Sequence, residues 1–215
     1  SNPSAAYLAR VSRVWVDDST GESADLGEVI KAILLDPEVL NGGVRDQFHG
    51  KVREPIIRYA SLARAFNLVS ESGKYSTNQP LLNDVFGQFP MLSPSVFNFY
   101  LPDFSPEGEF REAGMFSPEL QLASLSQMLR SDSRFAASVE ESGVSGRFDF
   151  TRELALVSEP SALVSRVDLL MTGGRLKAET KLAILNAVQS ELTDLEKVRT
   201  AIYLVSQSME CIVLN

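Results

Sequence analysis

The chain has one cysteine, Cys211, and one histidine, His49, among its 215 residues. A single cysteine cannot form an internal disulfide, and Cys211 precedes the apolar residues Ile212, Val213 and Leu214. We therefore interpret Cys211 as a small buried hydrophobe rather than a reactive thiol. One histidine also argues against a zinc site, because such sites usually need at least three His, Cys or carboxylate ligands at tight spacing. We expect no metal ion and no other cofactor.

Runs of basic residues and long apolar runs are also missing. The net charge is −8, and the arginines are spread singly along the chain. Nucleic-acid binding needs clustered Lys and Arg to neutralise phosphates, so nucleic acid is not an expected partner. No apolar run reaches the roughly 20 residues that a membrane-spanning helix needs. The sequence therefore predicts no membrane span.

The common catalytic patterns are absent as well. There is no G-x-S-x-G segment to supply a nucleophilic serine, and His49 is the only histidine available as its base. The glycine pairs Gly42-Gly43 and Gly173-Gly174 lack the lysine and the strand of a phosphate-binding loop, so we interpret both as helix ends. No catalytic residue is predicted, which favours a non-catalytic role for this chain taken alone.

Most of the chain has helical periodicity. Leu26, Val29, Ile30, Ile33 and Leu34 follow the i, i+3, i+4, i+7, i+8 spacing of one buried stripe, on a helix that Ser23 is placed to cap. Other predicted helices begin near Asn2-Pro3, Glu54-Pro55, Ser117-Pro118, Thr151, Pro160, Ala178 and Thr193. The fold class predicted is all-α, an irregular multi-helix array.

Periodicity fails from about Val69 to Phe116, a segment rich in proline and phenylalanine. So many aromatic side chains favour a long ordered loop laid across the helices. A polar joint from Glu140 to Gly146 suggests a subdivision into 1–140 and 141–215 within one continuous domain. Because the chain opens in a helical pattern without an initiator Met, we expect a fragment of a longer polypeptide.

Two separate segments contain the candidate binding residues. Arg53 is a candidate ligand anchor, and Glu54 stands where its charge complements the start of a helix. In the loop, the aromatics either fix the loop to the core or line a carbohydrate or peptide groove. The candidate binding residues are Arg53, Glu54, Phe97, Asn98, Phe99 and Tyr100.

An ordered set of segments closely resembles a large bacterial family catalogued as domain of unknown function 1800. Near the C-terminus, Met209 stands where that family usually has proline. The segments that carry the resemblance are Ser1–Val11, Asp25–Leu26, Ala32–Glu38, Gly50–Pro55, Arg64–Phe66, Ser93–Tyr100, Ala201–Val205 and Ser208–Glu210.

The resemblance implies a mainly helical, larger and often exported protein of which this chain is the C-terminal half. Export would place the protein in the periplasm or outside the cell. Any catalytic centre of the family would then lie partly in the N-terminal half. The resemblance supplies no set of catalytic residues.

Three functional hypotheses follow. The first is a non-catalytic structural or interaction module of an exported protein, whose partner is another protein or the N-terminal half of the same polypeptide. The second is part of a hydrolase-like or carbohydrate- or peptide-binding protein, whose groove the N-terminal half completes. The third is a subunit of a larger complex. The sequence leaves the oligomeric state open.

Overall fold

The structure is a computed structural model that is mostly α-helical, as the sequence predicted. Within the described part, strand is confined to one short pair, so the fold class is all-α. Backbone alone is described for 42–45. The described residues are 2–17, 21, 23–45, 50–70, 73, 86–89, 91–122, 130, 133, 147–190 and 192–214.

Two compact units make up the described chain, and each is discontinuous in sequence. The first combines Ser1–Lys51 with Ser105–Ser117, and the second combines Val52–Phe104 with Pro118–Leu214. The expected subdivision near residue 140 stays a prediction, because the joint Glu140–Gly146 lies outside the described residues.

Helices α1, α2, α3 and α5 belong to the first unit, as does Lys51 of β1, and the remaining elements are assigned to the second. The bounds in chain order are α1 Ala5–Val16, α2 Leu26–Leu35, α3 Pro37–Arg45, β1 Lys51–Val52, α4 Pro55–Ala65, α5 Glu109–Glu112, α6 Thr151–Leu154, α7 Pro160–Thr172, α8 Ala178–Val188, α9 Asp194–Gln207, α10 Met209–Ile212 and β2 Val213–Leu214. A 3₁₀ turn spans Pro118–Leu122.

The core of the second unit lies among α4, α7, α8 and α9. On α9, the fully buried residues Val198, Ala201, Ile202 and Val205 follow i, i+3, i+4, i+7 spacing, which is one face of a helix. The same core includes two phenylalanines from the aperiodic segment, Phe86 and Phe89, and the free thiol of Cys211. The predicted burial of Cys211 is confirmed.

Local signals set the ends of the C-terminal helices. Pro160 occupies the first turn of α7, and Gly173 ends that helix in the left-handed conformation at φ 74°. Thr193 and Glu196 form the predicted capping box at the start of α9, each side chain accepting the backbone N–H of the other.

A bidentate ion pair ties α1 to the junction of α2 and α3. Arg10 Nε lies 2.6 Å from Asp36 Oδ2, and Arg10 Nη2 lies 2.7 Å from Oδ1. Asp36 is only 5% exposed, and the guanidinium holds the pKa of its carboxyl below the usual value. At the same end, the Ser4 backbone N–H donates to Glu38 Oε1 over 2.9 Å.

The sequence placed several helix boundaries wrongly. Ser4 caps α1 instead of Asn2, whose amide donates to the Phe116 carbonyl, and Asp25 caps α2 instead of Ser23. Helix α3 begins at Pro37 and runs through the Gly42-Gly43 pair, so this pair is not the helix end that the sequence predicts. For α1 and α2, a neighbouring polar side chain caps the helix in place of the one that the pattern favoured.

The predicted burial of the α2 stripe is also wrong. Val29 is half-buried, whereas Leu26, Ile30 and Leu34 are exposed. Periodicity identified the apolar face of this helix but carried no information about what covers it.

Candidate functional site

The carboxylate of Glu54 receives two hydrogen bonds from the aperiodic segment. The Tyr100 hydroxyl donates to Oε1 over 2.8 Å, and the Gln88 side-chain amide donates to Oε2. Glu54 is the residue before α4, where a negative charge is stabilised by the helix dipole. Its side chain makes no capping bond to its own helix. Glu54 therefore joins the start of α4 to the loop.

Gln88 completes this connection from inside the protein. Its side chain is buried, at 2% exposure, and its Oε1 accepts the Ile56 backbone N–H over 3.4 Å. That N–H lies in the first turn of α4, where backbone donors have no partner within the helix. Sequence reasoning missed Gln88. The only local signal was its position in a short run with the core residues Phe86 and Phe89.

Tyr100 is held in its protonated, donor form. Burial raises its pKa above the usual value, and the hydrogen bond to Glu54 raises it further. The charges of Glu54 and Glu119 act in the same direction, while a hydrogen bond with Asn98 opposes them. Glu119 is a buried residue of the 3₁₀ turn. A neutral tyrosine beside carboxylates is a hydrogen-bond donor and not a base.

Asn98 forms a tight turn between the two phenylalanines. Its φ is 73°, in the left-handed region that Asn tolerates better than most residues. Its backbone N–H donates to the Ser95 carbonyl over 3.3 Å, and the Phe97 N–H donates to Ser95 Oγ over 3.1 Å. The turn directs Phe97 outward, where it is 55% exposed, whereas Phe99 is half-buried.

We refer to residues 91–101 as the anchored loop. Its far end is fixed by the Leu101 N–H, which donates to Gln121 Oε1 over 2.7 Å. The Tyr100 hydroxyl and the Leu101 backbone bond to the protein, while most of the loop's apolar side chains are in solvent, and Val96 is 93% exposed. The exposed apolar residues of the anchored loop are Met91, Leu92, Val96, Phe97 and Leu101.

Arg53 engages a different part of the same unit. Its Nη1 donates to the carbonyl oxygens of Met171 and Cys211, each over 3.3 Å. Its backbone N–H donates to the Ile212 carbonyl over 2.8 Å. The guanidinium of Arg53 therefore ties the start of α4 to α7 and α10, away from the bonds of Glu54.

The structure thus brings Glu54, Asn98 and Tyr100 together, with Phe97 and Phe99 on the same loop. Arg53 adjoins Glu54 in sequence but uses its guanidinium at the C-terminal segment. His49 lies outside the described residues. Within the described ranges, no three His, Cys, Asp or Glu side chains converge as a metal site requires, and no helix is both long and apolar enough to cross a membrane.

The fold and the site define an all-α protein with an anchored, apolar-faced loop. The chain belongs to the family described as "Protein of unknown function (DUF1800)", whose model matches residues 1–213. This confirms the family that the sequence resembles and extends over essentially the whole chain. No curated protein and no solved structure matches the chain.

Proposed function

We propose that this chain is a non-catalytic interaction module whose anchored loop binds another polypeptide. The observation that supports this function is the contrast between the two sides of the loop. Tyr100 and the backbone of Leu101 are fixed by Glu54 and Gln121, while Val96 and Phe97 stand in solvent. Contiguous exposed apolar side chains on an ordered segment are typical of protein–protein contacts.

Rigidity gives the anchored loop an advantage as a binding surface. A loop that is already ordered loses little conformational entropy when a partner binds, so more of the contact energy appears as affinity. The central aromatic residue, Phe97, is the type of side chain that anchors such contacts. By the family resemblance, the partner is another exported protein or the N-terminal half of a longer polypeptide, within a larger complex.

Selection of short random peptides against the intact chain tests this function. The enriched peptides are then measured by fluorescence polarisation against wild type, Phe97→Ser and Leu169→Ser. Leu169 is an apolar residue of α7 that is 66% exposed, against 55% for Phe97, and provides the matched control. Phe97→Ser is expected to weaken binding at least about tenfold, because the half-exposed ring supplies roughly 1.5 kcal/mol of burial. Equal weakening by both substitutions, or no enrichment over an unrelated protein, would contradict the proposal.

A carbohydrate-binding function is the second candidate, favoured by one arrangement. The exposed ring of Phe97 is two residues from Phe99 and three from Tyr100, whose hydroxyl meets a carboxylate. An aromatic surface beside polar groups suits a sugar ring. An oligosaccharide array probed with wild type, Phe97→Ser and Glu54→Gln distinguishes the two functions. Binding that both substitutions abolish would support the sugar, and an array without signal would remove it.

A further inference from the structure

Helices α1 and α2 form an antiparallel hairpin in the first unit. The Tyr7 hydroxyl, near the start of α1, donates to the Ile33 carbonyl near the end of α2 over 3.3 Å. At the other end, the Ala24 N–H donates to the Trp15 carbonyl over 2.9 Å. Early residues of one helix therefore meet late residues of the other. The ion pair of Arg10 with Asp36 fixes the hairpin in this register.

The helices meet along a narrow seam. On α1 the half-buried residues are Tyr7, Val11 and Val14, at i, i+4, i+7 spacing, and on α2 they include Val29 and Ala32. Neither helix contains a buried residue. The seam therefore uses only part of the apolar surface of the two helices.

The unused apolar surface forms one face. At about 100° per residue, Leu8 and Trp15 lie about a quarter of a turn from the seam of α1. Leu26, Ile30 and Ile33 lie about a quarter of a turn from the seam of α2, in the same rotational sense. Because the helices are antiparallel, equal rotations bring the two sets to the same side of the hairpin. We define Leu8, Trp15, Leu26, Ile30 and Ile33, with Leu34 at the edge, as the hairpin face.

Charge is segregated from the hairpin face. The same geometry puts Arg10 and Arg13 of α1, and Glu28 and Lys31 of α2, on the opposite side. Lys31 pairs with Glu28 over 3.3 Å, one turn away on its own helix. The hairpin face is therefore an uncharged surface on a chain of net charge −8.

The exposed area of the hairpin face is enough for a small specific interface. Burying one aliphatic side chain completely removes roughly 60–120 Å² of apolar surface from water. With each member about half exposed, and Trp15 contributing about 100 Å² as an aromatic, the face offers about 250–400 Å². An interface of about 1,200 Å² in total takes roughly 340 Å² of apolar surface from each partner.

We propose that the hairpin face binds a second copy of this chain and forms a reversible two-fold dimer. A two-fold contact uses the same patch on both subunits, so each subunit must contribute roughly 340 Å² of apolar surface. The exposed area of the hairpin face is of that size. The net negative charge of the chain attracts basic partners in general. Because the hairpin face itself has no charge, it gives such a partner no preferred contact there. Two such faces meet without bringing like charges together at their centre.

The dimer has a built-in reporter, because Trp15 is the only tryptophan in the chain. Trp15 is 49% exposed in the single chain, so contact with a second copy removes water from its ring. We expect its fluorescence emission to shift to shorter wavelength as protein concentration rises. Sedimentation velocity over the same concentrations should show conversion of monomer to dimer.

Two substitutions of equal charge on α2 separate this surface from others. Ile30→Lys places a charge at the centre of the hairpin face, whereas Leu35→Lys changes an exposed leucine on the other side of the helix. Both replacements favour helix, and circular dichroism checks that both variants are folded. Ile30→Lys is expected to weaken dimerisation at least about tenfold, since desolvating the added charge costs more than about 1.4 kcal/mol. Leu35→Lys should dimerise as wild type does.

Each other occupant gives a different result that overturns the proposal. A monomer at all concentrations whose Trp15 is shielded from acrylamide would mean that the same chain covers the face. A monomer with quenchable Trp15 would leave the face without a second copy. A dimer that persists in Ile30→Lys, with no change in Trp15 emission, would use another surface. An emission shift seen only with phosphatidylcholine–phosphatidylglycerol vesicles would assign the face to a lipid surface.

Discussion

The hydroxyl of Tyr100 donates to Oε1 of Glu54 over 2.8 Å, and this bond fixes the anchored loop to the start of α4. The two residues are 46 positions apart in sequence. Because the Gln88 amide donates to the other carboxylate oxygen, the Glu54 side chain has a defined orientation toward the loop. The loop's exposed apolar residues are therefore presented on an ordered support.

Removing this hydrogen bond should loosen the loop and lower the free energy of unfolding. We expect Tyr100→Phe to cost about 1 kcal/mol, because a bond to a charged group contributes about 1.5–3 kcal/mol when buried and less where solvent reaches it. Urea unfolding measures the change. Tyr7→Phe is the control, since its hydroxyl makes only a longer bond of 3.3 Å to a carbonyl. Equal losses from the two substitutions would show that the Glu54 contact has no special weight.

The raised pKa of Tyr100 predicts a loss of stability at alkaline pH. The folded protein keeps this proton to a higher pH than the unfolded chain does, because burial and Glu54 favour the neutral phenol. The resulting stabilisation is complete below the ordinary tyrosine pKa of about 10 and is lost as pH rises through the folded value. As pH rises from about 9 upward, the melting temperature should fall more steeply for wild type than for Tyr100→Phe. Parallel curves for the two proteins would refute this assignment.

The helical array at the C-terminus was predictable because its signals are local. Pro160 and Gly173 define α7, and the Thr193–Glu196 capping box lies within a single turn. Such features require only neighbouring residues, so one sequence is enough to recognise them. The candidate residues Glu54, Asn98 and Tyr100 come from two separate local patterns, and the structure places them in one cluster.

What the sequence missed depends on distant partners. Gln88 meets Glu54 across 34 positions, and no periodic pattern encodes that pairing. Likewise, the spacing of Leu26 and Ile30 showed that α2 has an apolar face, but burial depends on a second surface. The contacts of the Arg53 guanidinium reach residues more than a hundred positions away, so its direction could not be inferred from Glu54 beside it.

The Arg10–Asp36 ion pair predicts acid sensitivity of the α1–α2 hairpin. Arg10 lowers the pKa of Asp36, and bonds from Ser4 lower the pKa of Glu38. The stabilisation is therefore present above the ordinary carboxyl pKa of about 4 and is lost as pH falls through the folded values. Protection of the α1 and α2 amides, measured as the exchange rate relative to the intrinsic rate at each pH, should therefore fall at low pH.

Substitution tests the same pair at neutral pH. Asp36→Asn is expected to speed amide exchange in α1 and α2, because it removes the charge that the Arg10 fork binds. Arg13 is an exposed residue of α1, the helix that contains Arg10. Arg13→Lys serves as the control, and its amides should exchange as those of wild type do. Unchanged exchange in Asp36→Asn would show that the helical seam holds the hairpin without this pair.

The lone thiol of Cys211 reports on the arginine contacts of the C-terminal segment. Cys211 is fully buried, and burial raises the pKa of its thiol above the usual value, so it should react with a disulfide reagent only when the segment opens. Arg58, itself buried, donates to the Ser206 carbonyl over 2.7 Å and to Gln207 Oε1 over 3.1 Å. These bonds hold the end of α9, immediately before the thiol.

Arg58→Met leaves the Ser206 carbonyl without this donor and should make opening easier. A bond to a charged group is worth about 1.5–3 kcal/mol, so the thiol reaction should become roughly ten to a hundred times faster. The rate is measured at constant pH with an aromatic disulfide reagent that releases a coloured thiolate when it reacts with the cysteine. Arg152→Met removes an exposed arginine from α6 and should leave the rate unchanged. Two results would show that these bonds do not control opening of the segment. One is a wild-type thiol that reacts as fast in the native protein as in the chain unfolded by urea. The other is an equal rate for the two variants.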